Sequence, residues 1–319
     1  MTAPQNIAVI CPGQGAQAVG MGMAWAERSP AARAVFDEAD AILGETLGSP
    51  MSSLCHHGPD ETLARTDISQ PALYVSGIAC WRGLTHELGI ASKEAPLAAA
   101  AGLSLGEYTA LHIAGAVSFE DGLWLVTLRG RAMQDAAEAS PGGMVALIGV
   151  DEAAAEEIVA EARGSDVLVC ANFNAPGQVV VSGDAAACDR TETIAKGKKV
   201  RATRLAVAGA FHSPLMQPAA DRLGEALATT DLSEPACPVW SNVTAKPHAP
   251  SAEAVRAGLA DQLTNPVRWA ECFAAMATHA PGASFHEVAP GKTLAGMARR
   301  IDRSIAVTSH DSPPTAEVS

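Results

Sequence analysis

The chain has 319 residues, of which 48% are hydrophobic and 18% charged, so it can bury one large domain or a main domain with a smaller one inserted, and it is not a disordered chain. Its 22 Lys and Arg stand against 35 Asp and Glu, a formal net charge of −13, and aromatics are only 4%. That balance disfavours a generic nucleic-acid binder, which wants a basic surface and stacking rings. The cysteines number seven, widely spaced and without a C-x-x-C pair, which fits reduced thiols in a cytoplasmic protein and supports no metal site. MTAPQNIAVI has no basic segment followed by an apolar one, so no secretory signal is expected. The apolar runs are too short for a membrane span.

In chain order, Ile7 to Ile10 is a β-branched run ended by Pro12-Gly-Gln-Gly15, a strand and a tight loop. Helical patterns cover Ala24 to Leu43 and Gln70 to Leu88. Pro96 to Ala101 is alanine-rich, a helix by propensity, yet its place before Gly102 and a helical segment predicts a buried strand. Gly106 to Ile113 reads as a helix stopped by Gly115. Ser118-Phe-Glu-Asp121 fits a capping box and opens a long helix to about Ala137. Strands alternating with helices predict a mainly parallel sheet with helices on both faces.

From Pro141 the texture changes. Met144 to Val150, Val167 to Cys170, Gln178 to Ser182 and Val200 to Leu205 read as strands, with helices at Asp151 to Ala162 and Ala185 to Lys196. That β-α-β-β-α-β order is the ferredoxin-like split βαβ pattern. The expected organisation is therefore a discontinuous large α/β domain at 1–138 and 207–305, a small inserted domain at 139–206, and a disordered polar tail at 306–319.

The sharpest motif is Gly102-Leu-Ser104-Leu-Gly106, a G-x-S-x-G between a strand and a helix. Such an elbow holds a serine oxygen at the tip of a sheet, beside the N–H groups of a helix N-terminus that can bind an oxyanion. Chance occurrence of the five residues is the bland alternative, and the strand-turn-helix context weighs against it. A nucleophilic serine needs a base. Of nine histidines, His212 stands out because its loop, Gly209 to Pro214, follows a strand at a domain junction. Pro12-Gly-Gln-Gly15 fits neither a dinucleotide fingerprint nor a Walker A loop, which leaves a plain turn or a backbone loop that approaches a ligand oxygen. Arg129 is either a solvated helical arginine or a carboxylate clamp.

Seven segments in this order resemble the malonyl-CoA:acyl carrier protein transacylase family: CPGQGAQ, GLSLGEYTAL, LRGRAMQ, NAPGQVVVSG, GAFHSPLM, QLTNPVRW and EVAPGKTLAGM. They span about residues 6 to 302. The resemblance implies an α/β-hydrolase-like parallel sheet core carrying the small ferredoxin-like domain. It implies an acyltransferase that moves malonyl from malonyl-CoA to the phosphopantetheine thiol of acyl carrier protein through a malonyl-serine, for fatty acid elongation. It assigns Ser104 and His212 to catalysis, the backbone N–H groups of Gln14 and Leu105 to the oxyanion hole, Arg129 to the malonyl carboxylate, and the segment around Gln262 to orienting the histidine. Phe211 beside the base implies poor use of methylmalonyl-CoA.

No cofactor beyond the substrate and the coenzyme A product is implied, and the family suggests a monomer. One departure is Leu103, where the family commonly has histidine. The same chemistry could serve a polyketide or polyunsaturated-fatty-acid synthase. A serine esterase is a weaker alternative, since no HGGG-type loop is present. Lys196, Lys198, Lys199, Arg201 and Arg204 form a basic cluster that could dock an acidic carrier, and Arg299, Arg300 and Arg303 form a second; a solvated face is the ordinary reading of either.

Overall fold

The computed structural model describes residues 6–314. A parallel sheet of five strands forms the centre, in the order β7-β2-β1-β8-β9. The strands are β1 (Ile7–Cys11), β2 (Leu97–Gly102), β7 (Val239–Trp240), β8 (Ser284–Val288) and β9 (Val307–His310). The central strand β1 is buried along its whole length, as a parallel strand covered on both faces must be. Ala99, Ala100 and Ala101 of β2 are fully buried. Their helix preference yields to burial between two layers, and their small side chains let helices pack close to the sheet.

A second sheet is antiparallel, in the order β4-β5-β3-β6. Its strands are β3 (Gly142–Ile148), β4 (Leu168–Ala175), β5 (Gln178–Asp184) and β6 (Arg201–Arg204). The helices Glu152–Arg163 and Ala185–Gly197 cover one face and share with it an aliphatic cluster that includes Val145, Leu147, Ile158 and Val181. This strand order is that of the split βαβ motif. The sheet is tied to the rest of the chain at β4, where Val267 N–H donates to the Ala171 carbonyl and Phe173 N–H to the Val267 carbonyl.

Three local expectations need correction. The helical stretch at 24–43 is two helices, Met23–Arg28 and Pro30–Leu43. Ser29 is extended, and Pro30, which has no N–H to give, opens the second helix. At Ser118 the hydroxyl accepts the Asp121 N–H at 3.0 Å, but the Asp121 carboxylate takes the Ser118 hydroxyl at 2.6 Å, so the reciprocal half of the capping box is a side-chain contact. The expected disordered tail contains β9, paired parallel to β8. Four side-chain contacts hold it: Trp25 Nε1 donates to the His310 carbonyl at 2.8 Å, Cys80 Sγ donates to the same carbonyl at 3.3 Å, Ser309 Oγ donates to Glu287 at 2.8 Å, and His310 pairs with His286 at 2.8 Å. The remainder of that tail, 315–319, lies outside the described residues.

Candidate active site

The chain turns sharply from β2 into the helix Gly106–Ile113, and Ser104 sits on the turn with φ 50°. A non-glycine residue in that region costs on the order of 1–3 kcal/mol and persists where its surroundings enforce it. Here close packing does. A Cβ on Gly102 would stand 1.8 Å from the Gly106 carbonyl carbon, and one on Gly106 would stand 2.1 Å from the Cys11 oxygen of β1. A Cβ on Gly13 would meet the Leu103 oxygen at 2.2 Å, so the loop after β1 lies directly against the elbow. His212 is also left-handed, at φ 54°.

Ser104 Oγ is 2.8 Å from His212 Nε2, and His212 Nδ1 is 2.9 Å from the Gln262 carbonyl oxygen. A carbonyl can only accept, so Nδ1 carries the proton and Nε2 is left free to accept from the serine hydroxyl. Burial, and then the nearby Arg129 charge, push His212 down to about 4, so its imidazole is neutral at pH 7. The orienting group comes from the end of the helix Ala252–Gln262, fifty positions along the chain, and is not an acid.

Arg129 lies in the long helix Phe119–Ala139 and is 1% exposed. Its Nη1 donates to Gln70 Oε1 at 2.6 Å, and its Nη2 donates to Gln262 Oε1 at 2.8 Å and to Ser104 Oγ at 3.0 Å. Its Nε is buried without a partner among the described residues. Among the described residues no carboxylate forms an ion pair with it. A buried cation without a counter-charge is costly, and so is an orphaned buried donor. A carboxylate bound next to the serine would therefore be favoured, and burial holds the guanidinium below its usual value.

The serine opens into a cleft of about 380 Å³ between the two sheets. Gln14, Met133 and Phe211 line it from one side, Met144 and Val180 from the antiparallel sheet, and Met297 from near the C-terminus. Leu103 lines the same cleft and packs on the apolar cluster behind it, making that wall apolar where a histidine would be polar. Among the described residues, neither the Gln14 nor the Leu105 backbone N–H has an acceptor, and Leu105 caps the elbow helix. Two N–H groups without acceptors, one on the loop against the elbow and one on the elbow itself, can donate to an oxyanion.

Two polar residues escaped the sequence reading. Asn242 accepts the Ser104 N–H on Oδ1 at 2.6 Å and donates from Nδ2 to the Gly102 carbonyl at 2.7 Å, bracing the elbow. Gln70 holds Arg129. No local motif marks either, since each is buried by distant parts of the chain.

The basic cluster is divided. Lys198 pairs with Glu161 at 3.1 Å, and Arg204 pairs with Asp189 and with Glu192. Lys196, Lys199 and Arg201 are exposed and have no carboxylate partner among the described residues. In the second group, Arg300 is engaged by Gln178 and the Pro176 carbonyl. No group of three or more His, Cys, Asp or Glu among the described residues could hold a metal ion. No helix there is long and apolar enough to cross a membrane.

The profile of the acyl transferase domain family matches residues 9–311. The malonyl CoA-acyl carrier protein transacylase of Bacillus subtilis (strain 168) is 39% identical, over 98% of this chain and 96% of that protein. A crystal structure of malonyl-CoA:acyl carrier protein transacylase from Xanthomonas oryzae is similar at TM-score 0.89 and 43% identity, covering 98% of this chain and 96% of that one. A malonyl-transacylase solved in complex with a type II PKS acyl-carrier protein is similar at TM-score 0.88 and 36% identity, covering 97% and 96%.

Proposed function

The chain belongs to the acyl transferase family, and from that membership and the site's geometry we infer that it transfers malonyl from malonyl-CoA to the phosphopantetheine thiol of an acyl carrier protein. One observation supports the malonyl substrate above others. Arg129 is a buried guanidinium with no carboxylate partner among the described residues, and its Nη2 lies 3.0 Å from the serine oxygen. An acyl group with a free carboxylate can pair with this guanidinium and place its thioester at Ser104.

In this reading His212 Nε2 takes the proton of Ser104 as Oγ attacks the thioester carbonyl. The oxyanion is received by the Gln14 and Leu105 N–H groups. The C–S bond breaks, and coenzyme A leaves with the proton from His212. The carrier's thiol then gives its proton to His212, attacks the malonyl-serine, and releases Ser104 by the reverse path. The thioester itself supplies the activation, so no organic cofactor is needed. Every proposed group comes from one chain, which suits a monomer. The buried free cysteines suit a cytoplasmic setting.

The fatty acid carrier is the proposed acceptor, supplying chain elongation. A polyketide carrier is a second reading, favoured by the similarity to the solved carrier complex. Intact mass spectrometry tests the chemistry. Mixing with malonyl-CoA should add one malonyl group, lost in Ser104→Ala and discharged by holo carrier protein. Steady hydrolysis without acyl-enzyme or transfer would defeat the reading. Relative rates with fatty acid and polyketide carriers decide the acceptor.

A further inference from the structure

Behind the catalytic pair, Glu107 is fully buried on the first turn of the elbow helix. Its Oε2 accepts the Asn242 backbone N–H at 3.0 Å and Gln262 Nε2 at 2.8 Å. Its Oε1 lies 2.8 Å from Nε2 of His248. Both residues held by Oε2 reach the reacting groups. Asn242 holds the Ser104 N–H. Gln262 holds His212 with its carbonyl, the Ser104 carbonyl with Nε2 at 3.1 Å, and Arg129 with Oε1. One carboxylate thus stands behind serine, histidine and arginine together.

His248 is what makes that carboxylate tolerable. Its side chain is 2% exposed. A site is cleared for its ring: a Cβ on Gly258 would stand 2.5 Å from Cε1. Gly258 belongs to the helix Ala252–Gln262, so the glycine that seats His248 and the carbonyl that orients His212 lie one turn apart. Burial pushes the imidazole down, but the Glu107 hydrogen bond and charge outweigh it and hold His248 above the usual histidine value. Without this partner, Glu107 would be a buried carboxylate with no cation bonded to it. Its Oε1 would be left an unfilled buried acceptor, and a carboxylate that swings to fill it withdraws Oε2 from Gln262 or Asn242.

We propose that His248 is a positioning residue: through Glu107 it fixes Gln262 and Asn242, and through them the geometry of Ser104 against His212. For its substrate the proposal rests on the acyl-transfer reading, so the test includes a probe that needs no acyl group. Ser104 is labelled with a fluorophosphonate, and kcat and KM for malonyl-CoA are measured in parallel. In folded His248→Ala, labelling and kcat should each fall about tenfold, the size of effect expected from a sub-ångström misplacement, with KM changed less than about twofold. His248→Gln, which can still donate to Glu107, should recover both to within about threefold of the native protein.

If His248→Ala does not fold, Gly258→Ala, which crowds the ring, carries the same expectation. Native labelling rates in the folded variants would overturn the proposal, as would losses that only follow the unfolded fraction in a thermal melt. A native protein that is labelled at Ser104 but never malonylated would sink the acyl-transfer reading, and the labelling rates would still decide the role of His248.

Discussion

Arg129 and His212 act on each other, and the two make opposite demands. The guanidinium needs an anion, and its charge helps keep the imidazole neutral. Arg129→Ala should therefore do two things. It should lower kcat/KM for malonyl-CoA roughly a hundredfold, as for a charge-assisted contact of about 3 kcal/mol, while leaving acetyl-CoA near its native rate. An unchanged malonyl-to-acetyl ratio would remove the clamp. It should also move the acid limb of the pH profile. The active form is the neutral imidazole, and kcat/KM reports the free enzyme. With His212 at about 4, activity in the native protein should hold down to about pH 5 and fall below it. Removing the Arg129 charge takes away a repulsion that holds His212 down, so the midpoint in Arg129→Ala should shift to higher pH. Brief pH-jump assays keep unfolding out of the comparison. A native midpoint near 6.5 would mean that the ring is far better solvated than its burial indicates.

The elbow joins sequence to site at the scale of elements. Glycines at 102 and 106 mark it in the sequence because backbone from β1 and the elbow helix passes where side chains would be. Gly106→Ala should lower Tm by roughly 5–10 °C and slow Ser104 labelling by more than the unfolded fraction explains. Gly224→Ala is the counterpart. It lies inside the helix Gln217–Thr229, where a Cβ meets nothing within 4 Å, so it should raise Tm by a few degrees through helix propensity alone. A similar fall in both would show that the elbow has no special steric demand. The strand-turn-helix unit and the split βαβ order could be read from the sequence because periodicity and glycine spacing are local signals. The strand β9 could not. Its residues, Val-Thr-Ser-His, carry no strong pattern, and it is held by Trp25 and Glu287, far away in the chain. The same holds inside the site. Motifs pointed to Ser104 and His212, whereas Asn242, Gln70 and His248 are polar residues whose burial arises only from tertiary packing.

Over the whole molecule, a net charge of −13 meets two anionic partners in the proposed reaction, so the placement of cations matters more than their total. At physiological salt the screening length is about 8 Å, and most of the acidic surface then acts only on a carrier already close to it. The cations that can act must be exposed and unpaired. The structure narrows the cluster near β6 to Lys196, Lys199 and Arg201, since Lys198 and Arg204 already face carboxylates. β6 leads directly into the segment that carries His212, so a carrier held there would have its thiol arm near the cleft. Lys196→Glu with Lys199→Glu should raise the apparent KM for the carrier about fivefold or more at low salt and flatten its salt dependence. Malonylation of Ser104 by malonyl-CoA should stay within about twofold of native, since neither lysine lines the cleft. Lys198→Glu should do less, because its charge is already spent on Glu161. If the double variant leaves the carrier's KM and salt slope unchanged, the carrier approaches by another face, and the second basic group around Arg299 and Arg303 becomes the place to reverse charge next.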